Sequence, residues 1–329
     1  VDFDPSDERG ESDDFYANLA EEIPDRELGR ISSELSGDFD SNKASRQEWE
    51  EAYADGLDLL GFTYNERTQP FRGASGVTHP LLAEAATQFQ AQAFNELLPS
   101  SGPVRTVVMG NETREKVAQA RRVKTFMNYY ITSVMEEYTP DMDQMLFYLP
   151  LAGSTFKKTY YDETLGRAVS KFVPSENLVV PYETSDLDTC PNITQVVRMS
   201  LNDLRKNQVA GFYRDVEVSP AQQNTSGVGQ EIDRIEGFEP NQVDYDCTLL
   251  ECHVDLDLEG YEDLDEDGEP TGIKVPYIVT LSQDNGEVLS VRRNYQEDDT
   301  LKRKIQYFTH YKFLPGFGFY GLGLIHTIG

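Results

Sequence analysis

The chain has 329 residues, enough for about two domains at roughly 150 residues each, with no disulfide or metal staple required to hold a core. Its 17 Phe, 18 Tyr and single Trp are too many aromatics for a disordered acidic solubiliser, so a globular core is expected. Fifty-eight acidic against 29 basic residues leave a formal charge of −29, which disfavours ordinary DNA binding unless the bases are gathered on one face.

Residues 1–40 carry 14 acids against three arginines, and 1–44 read as an acidic N-terminal arm that is mobile or orders only against a partner. The next segment, Ser45-Arg46-Gln47-Glu48, has the spacing of a capping box. Trp49, Tyr53, Leu57 and Leu60 then recur at helical intervals. A second helix is expected between Pro80 and Pro99, with Leu82, Ala86, Phe89, Ala93, Phe94 and Leu97 as its apolar stripe. A third is predicted from about Thr113 to Tyr138, with Val117, Val123, Met127, Tyr130, Val134 and Tyr138 facing inward, and a fourth from Met142 to Leu149. Residues 45–150 therefore read as a helical region.

From Ser154 the period changes to two, and 151–329 read as a β-rich region, giving an α+β fold. Thr155–Tyr161 with Ala168–Val173, and Tyr277–Leu281 with Val288–Val291, are expected as antiparallel hairpins; the second spans Asn285-Gly286, a common hairpin pair. Over 304–313, Ile305, Tyr307, Tyr311 and Phe313 share one face of a predicted strand. Ser200 is the candidate cap of a helix over Leu201–Val209, and 219–230 read as a flexible loop. The end of the sequence, in apolar residues with no polar tail, reads as a chain cut before its natural terminus.

The longest uninterrupted apolar run, Met145 to Ala152, is eight residues, far short of the ~20 that cross a bilayer. The N-terminal residues have no signal-peptide pattern. Cys190, Cys247 and Cys252 lack metal-ligand spacing and fit a reducing compartment.

Few residues are arranged for chemistry. Gly316, Gly318 and Gly321 match a dinucleotide-loop spacing, but the helix and distant acid that such a site requires do not follow, and tight backbone packing is the expected use of these glycines. Asp263, Asp265 and Asp267 match the first half of a calcium loop. The twelfth position is Lys274 and Pro270 interrupts, leaving these three as weak candidate cation ligands only. His79, His253, His310 and His326 belong to no hydrolase motif, so no catalytic residue and no cofactor is assigned. Bases gather at Lys157-Lys158, at Arg292-Arg293, at Lys302-Arg303-Lys304, and at Arg114, Lys116, Arg121, Arg122 and Lys124 along the third helix. Salt bridges to the acidic surface or to neighbouring subunits are the expected role of all four groups.

Four runs carry a resemblance: FRGASGVTHPLLAEAATQFQAQAFNELLPSSGPV (71–104), LPLAGSTFKKTYYDETLGRAVSKFVPSENLVVPY (149–182), MSLNDLRKNQVAGFYRDV (199–216) and VRRNYQEDDTLKRKIQYFTHYKFLPGFGFYGLGLIH (291–326). Together they resemble, in consistent order, portal proteins of short-tailed bacteriophages, the head-to-tail connectors. The resemblance implies a structural virion protein and not an enzyme. Such proteins form dodecameric rings at one capsid vertex, carry double-stranded DNA through a channel in packaging and ejection, and contact capsid protein and scaffold, terminase and tail adaptors. It implies assembly in the host bacterial cytoplasm and no membrane partner. Residues 151–329 would then be a wing-type region approaching the stem, with stem, clip and crown outside this chain. The acidity would lower the affinity of the subunit for a moving duplex. The alternatives are an acidic soluble hydrolase-type enzyme, which a histidine backed by a carboxylate in a pocket would favour, and another head-tail connector component.

Overall fold

A computed structural model of the chain describes residues 15–60, 71, 79–162, 165–219, 227–236, 246–264, 268–316 and 318–328. The fold is α+β, with helices and two antiparallel sheets. Its two units are not successive stretches of sequence: one comprises Val1–Glu50 and Glu176–Gln306, the other Glu51–Ser175 and Tyr307–Gly329. The expected linear division at residues 44 and 150 is corrected accordingly.

The first unit is built on a five-stranded sheet. Its strands are β3 (Leu178–Val179), β4 (Asn192–Ser200), β5 (Asp246–Leu256), β6 (Val275–Ser282) and β7 (Val288–Arg293), in that spatial order. Period-two alternation gives β5 two apolar faces. Leu250, Cys252, Val254 and Leu256 join Val275, Tyr277, Val279 and Leu281 of β6 in one core, whereas Cys247 and Leu249 pack with Leu204, Tyr213, Val218 and Leu289 in another. The predicted β6–β7 hairpin is present, with Gly286 at φ +70° in its turn.

The larger of these cores is covered by helix α1 (Asp25–Ser45). Here the expectation of an arm fails for the described part of that segment, because Leu28, Ile31, Leu35 and Phe39 recur at helical spacing and are buried in the core. Acid-rich composition hid the stripe; the acids occupy the outer face. Residues 1–14 lie outside the described residues. Ser45 is not a cap either: it ends α1, and its Oγ donates to Asn42 O at 2.7 Å. The chain bends at Arg46 into α2 (Gln47–Leu57).

In the second unit, α5 (Tyr138–Ala152) packs on a three-stranded sheet and α3 (Leu81–Leu97) packs on α5. Its strands β1 (Ser154–Asp162), β2 (Arg167–Pro174) and β8 (Phe308–Lys312) lie in the order β2-β1-β8. Met142, Met145 and Leu146 form the centre, flanked by Phe89, Phe94, Phe172 and Tyr311. The expected single helix over 113–138 is two: α4 (Arg114–Tyr129) runs into a π-helical turn, Tyr130–Val134, and Tyr138 already begins α5. The strand predicted over 304–313 is confined to β8. Phe308, on the face opposite Tyr311, is its most buried residue.

The helix after Ser200 forms as expected. In α6 (Leu201–Val209) the cap Oγ accepts from Asp203 N at 3.1 Å. The predicted loop 219–230 is cut short, because Gly227 begins α7 (Gly227–Glu236); residues 220–226 lie outside the described residues. The last element is α8 (Leu324–Ile328). No described helix is long and apolar enough to cross a membrane.

Candidate functional site

The sequence-predicted chemical sites resolve into packing devices. Ser154 Oγ and His310 Nε2 are 2.9 Å apart, which would suit a nucleophile and its base. Yet Ser154 is wholly buried and accepts from Gly321 N at 2.7 Å, and the His310 ring lies against both Phe156 and Phe319, centroids 4.5 and 4.6 Å away, which themselves stack at 6.0 Å. Burial, with Lys312 adding to it, pushes this imidazole down to about 3 and keeps it neutral. His253 Nε2 lies 2.7 Å from Glu251 Oε1, the histidine and carboxylate sought for an enzyme, but the ring is buried within β5 and not presented to solvent. His79 is exposed before α3, and His326 Nδ1 accepts from Gly323 N at 3.1 Å.

Gly316 and Gly321 pack backbone against backbone, as expected. A Cβ on Gly321 would lie 2.4 Å from Gly153 O, and one on Gly316 would lie 2.5 Å from Tyr320 O. Gly323 is tighter still, with Leu151 O at 1.9 Å from its would-be Cβ. Phe317 lies outside the described residues.

Of the candidate cation ligands, Asp265 and Asp267 lie outside the described residues. Asp263 is ion-paired to Lys302 and accepts from Thr271 Oγ1 at 2.8 Å, and these two partners hold its carboxyl below the usual range. Among the described residues, no three His, Cys, Asp or Glu side chains are placed to share a metal ion.

The four basic groups divide sharply. Lys157 is buried with its ammonium 4.2 Å from the Tyr138 ring centre, and Lys158 lies over Tyr160 and Phe308. Arg292 donates to Tyr16 O and Phe212 O, and Arg293 donates to Phe15 O. Lys302 pairs with Asp263 and Arg303 with Asp299, while Lys304 donates to Leu187 O and Cys190 O. Three groups thus bind within their own unit. In contrast, Arg114, Lys116, Arg121, Arg122 and Lys124 make no ion pair among the described residues; Lys116 reaches only Asn111 O, at 3.4 Å.

All five of those bases lie on α4, a helix with no buried residue. Thr113 caps it by accepting from Lys116 N at 3.3 Å. Asn128 ties it to the preceding segment, accepting from Val104 N at 2.9 Å and donating to Val104 O at 3.1 Å; Thr106 Oγ1 donates to Ala120 O. Just past its end, Tyr130 OH accepts from Ala168 N at 2.9 Å. Apart from these anchors the helix stands in solvent. Val123, Phe126, Met127 and Tyr130 have the i, i+3, i+4, i+7 spacing of a packing stripe. Phe126 is nevertheless 59% exposed and Val123 46%, beside Val107 at 81% and Met109 at 85% on the preceding segment. The sequence reading placed Val117, Val123 and Met127 inward and did not single out Phe126; the structure corrects that, with all four exposed. A 16-residue helix is marginal in water without tertiary packing, and crowded like charges weaken it further. An exposed apolar patch rimmed by charge is the form of an interaction surface.

The chain matches no protein-family model and no curated protein sequence.

Proposed function

We propose that this chain is the subunit of a portal-type ring, a structural head-to-tail connector of a short-tailed bacteriophage through which double-stranded DNA is packaged and ejected. The four ordered runs of residues described above support this reading. The structural observation that carries it is α4: an apolar and basic helix that its own unit leaves uncovered is the kind of surface an assembling subunit requires. Rings close through heterologous contacts, in which one patch meets a different patch on the next copy. In the same reading capsid protein, scaffold, terminase and tail adaptors are the partners, the virion vertex is the location, and the DNA passes without being read.

Light scattering on the purified chain tests it. A single species is expected whose mass is a fixed multiple of 37.3 kDa near twelve and does not change on dilution. A monomer, or a ladder of masses that grows with concentration, would overturn the ring.

A further inference from the structure

Charge is distributed very unevenly along the sequence. The segments 1–50 and 176–306 hold 44 acids and 16 bases, a balance of −28, whereas 51–175 and 307–329 hold 14 acids and 13 bases, a balance of −1. Within the second set, residues 103–130 carry six bases against Glu112 and Glu115, a balance of +4. This positive stretch contains α4, whose five bases have no ionic partner among the described residues and whose apolar stripe is exposed.

Building on the ring-forming reading, we propose that α4 is the donor half of the subunit contact: its Val123–Phe126–Met127 stripe and its flanking arginines dock on the carboxylate-rich surface of a second copy. Symmetric pairing of two α4 helices would set +4 against +4 and is disfavoured by repulsion. Pairing with the acidic segments of a neighbour answers the charges, and the exposed Val209, Ile273 and Leu301 of those segments offer apolar surface to the stripe; it leaves each copy with one free α4 and one free acidic surface. A head-to-tail contact of that kind propagates until it closes. The apolar centre supplies the affinity; the rim charges set orientation and capture rate. Nucleic acid, the other polyanion that α4 would attract, fits less well, because a phosphate backbone offers nothing to cover Phe126, Val107 and Met109.

The test compares wild type with Val123→Asp/Phe126→Asp and with Arg121→Glu/Arg122→Glu by sedimentation velocity. All four side chains are exposed, so both variants are expected to melt within about 2 °C of wild type. Loss of self-association by about 100-fold is expected for the aspartate pair, the scale of a disrupted contact centre. For the glutamate pair a loss of about tenfold or more is expected, accompanied by a flatter salt dependence than wild type shows. A reversed-charge variant retains its acidic surface, so mixed with wild type it is expected to cap growing assemblies and yield open arcs. Rings that form in both variants as in wild type would overturn the assignment of α4 and leave the ring reading intact. A wild type that stays monomeric at every concentration would overturn both. Duplex DNA binding by wild type that the glutamate pair abolishes, without change in assembly, would show α4 to be a nucleic-acid surface and overturn the subunit contact.

Discussion

Arg46, at the bend between α1 and α2, is a charge buried for structural reasons, and removing it has a calculable effect. Its side chain is fully buried; one guanidinium nitrogen donates to Leu178 O and another to Glu176 O, both at 2.7 Å, and the Glu50 carboxylate lies 2.6 Å away. The bend connecting α1 to its following helix is thereby pinned to the start of β3. Arg46→Ala leaves the Glu50 carboxylate, itself mostly buried, without its cation, and two carbonyls without their donor. Breaking a buried pair in this way costs about 3–5 kcal/mol. For a unit of this size each kcal/mol shifts the melting temperature by about 2–4 °C, so Arg46→Ala is expected to lower it by about 6–20 °C in a calorimetric scan. Arg46→Met/Glu50→Leu is expected to recover most of that loss, since desolvating both charges is itself costly. A shift below about 3 °C for Arg46→Ala would refute the reasoning, because a charge whose removal costs so little is not structurally buried.

Glycines give a second check, with opposite signs. Gly29 and Gly37, inside α1, have open space where a Cβ would stand, so Gly29→Ala and Gly37→Ala are each expected to stabilise by about 0.5–1 kcal/mol in urea denaturation. Gly323→Ala, whose Cβ would strike Leu151 O, is expected to destabilise by more than either gains. Burial pushes the Glu176 carboxyl up to about 7, so its folded form holds a proton that the unfolded form loses near pH 4.5. Stability contributed by this group is expected to fall as pH rises from about 4.5 to 7, by at most about 1.4 kcal/mol per pH unit, and Glu176→Gln is expected to flatten that slope in melting curves. His310 acts in the other direction. Its ring is neutral in the fold down to about pH 3 but charges near 6.5 when unfolded, so stability is expected to drop as pH falls through that window, and to drop less in His310→Phe. Cys190, Cys247 and Cys252 are buried and outside any disulfide, with Cys252 pushed up to about 12 by burial. None is expected to react with an aromatic disulfide reagent until denaturant is added, and prompt reaction of any one would contradict its burial.

The two hairpins were legible because period two survives in the residues themselves. Alternation along 155–161, 168–173 and 277–281, and Asn285-Gly286 between β6 and β7, specify those strands, whereas β4 and β5 of the larger sheet were not singled out. Ser200 likewise announced its helix by a local hydrogen bond. The acidic segment was misread because composition was averaged over 40 residues. The spacing of Leu28, Ile31, Leu35 and Phe39 was visible there and a helical-period count would have found it. The α4 stripe shows a different limit. Periodicity reports that a helix has an apolar face; it does not say whether that face is covered by the same chain or by another. Interleaving of the two units could not be read either, since nothing local at residues 50, 175 or 306 records which distant strands will share a sheet. For the candidate chemical residues, the sequence supplied identities and the fold withdrew access: His310 and Ser154 meet, but in a stack of aromatic rings.

The most direct measurement is single-particle electron microscopy of the purified full chain, classified by rotational symmetry, with Val123→Asp/Phe126→Asp imaged beside it. Closed rings with an open channel in wild type, α4 density lying against the neighbouring subunit, and dispersed particles in the variant are the expected result. Uniform single subunits in both samples would contradict the ring-forming account.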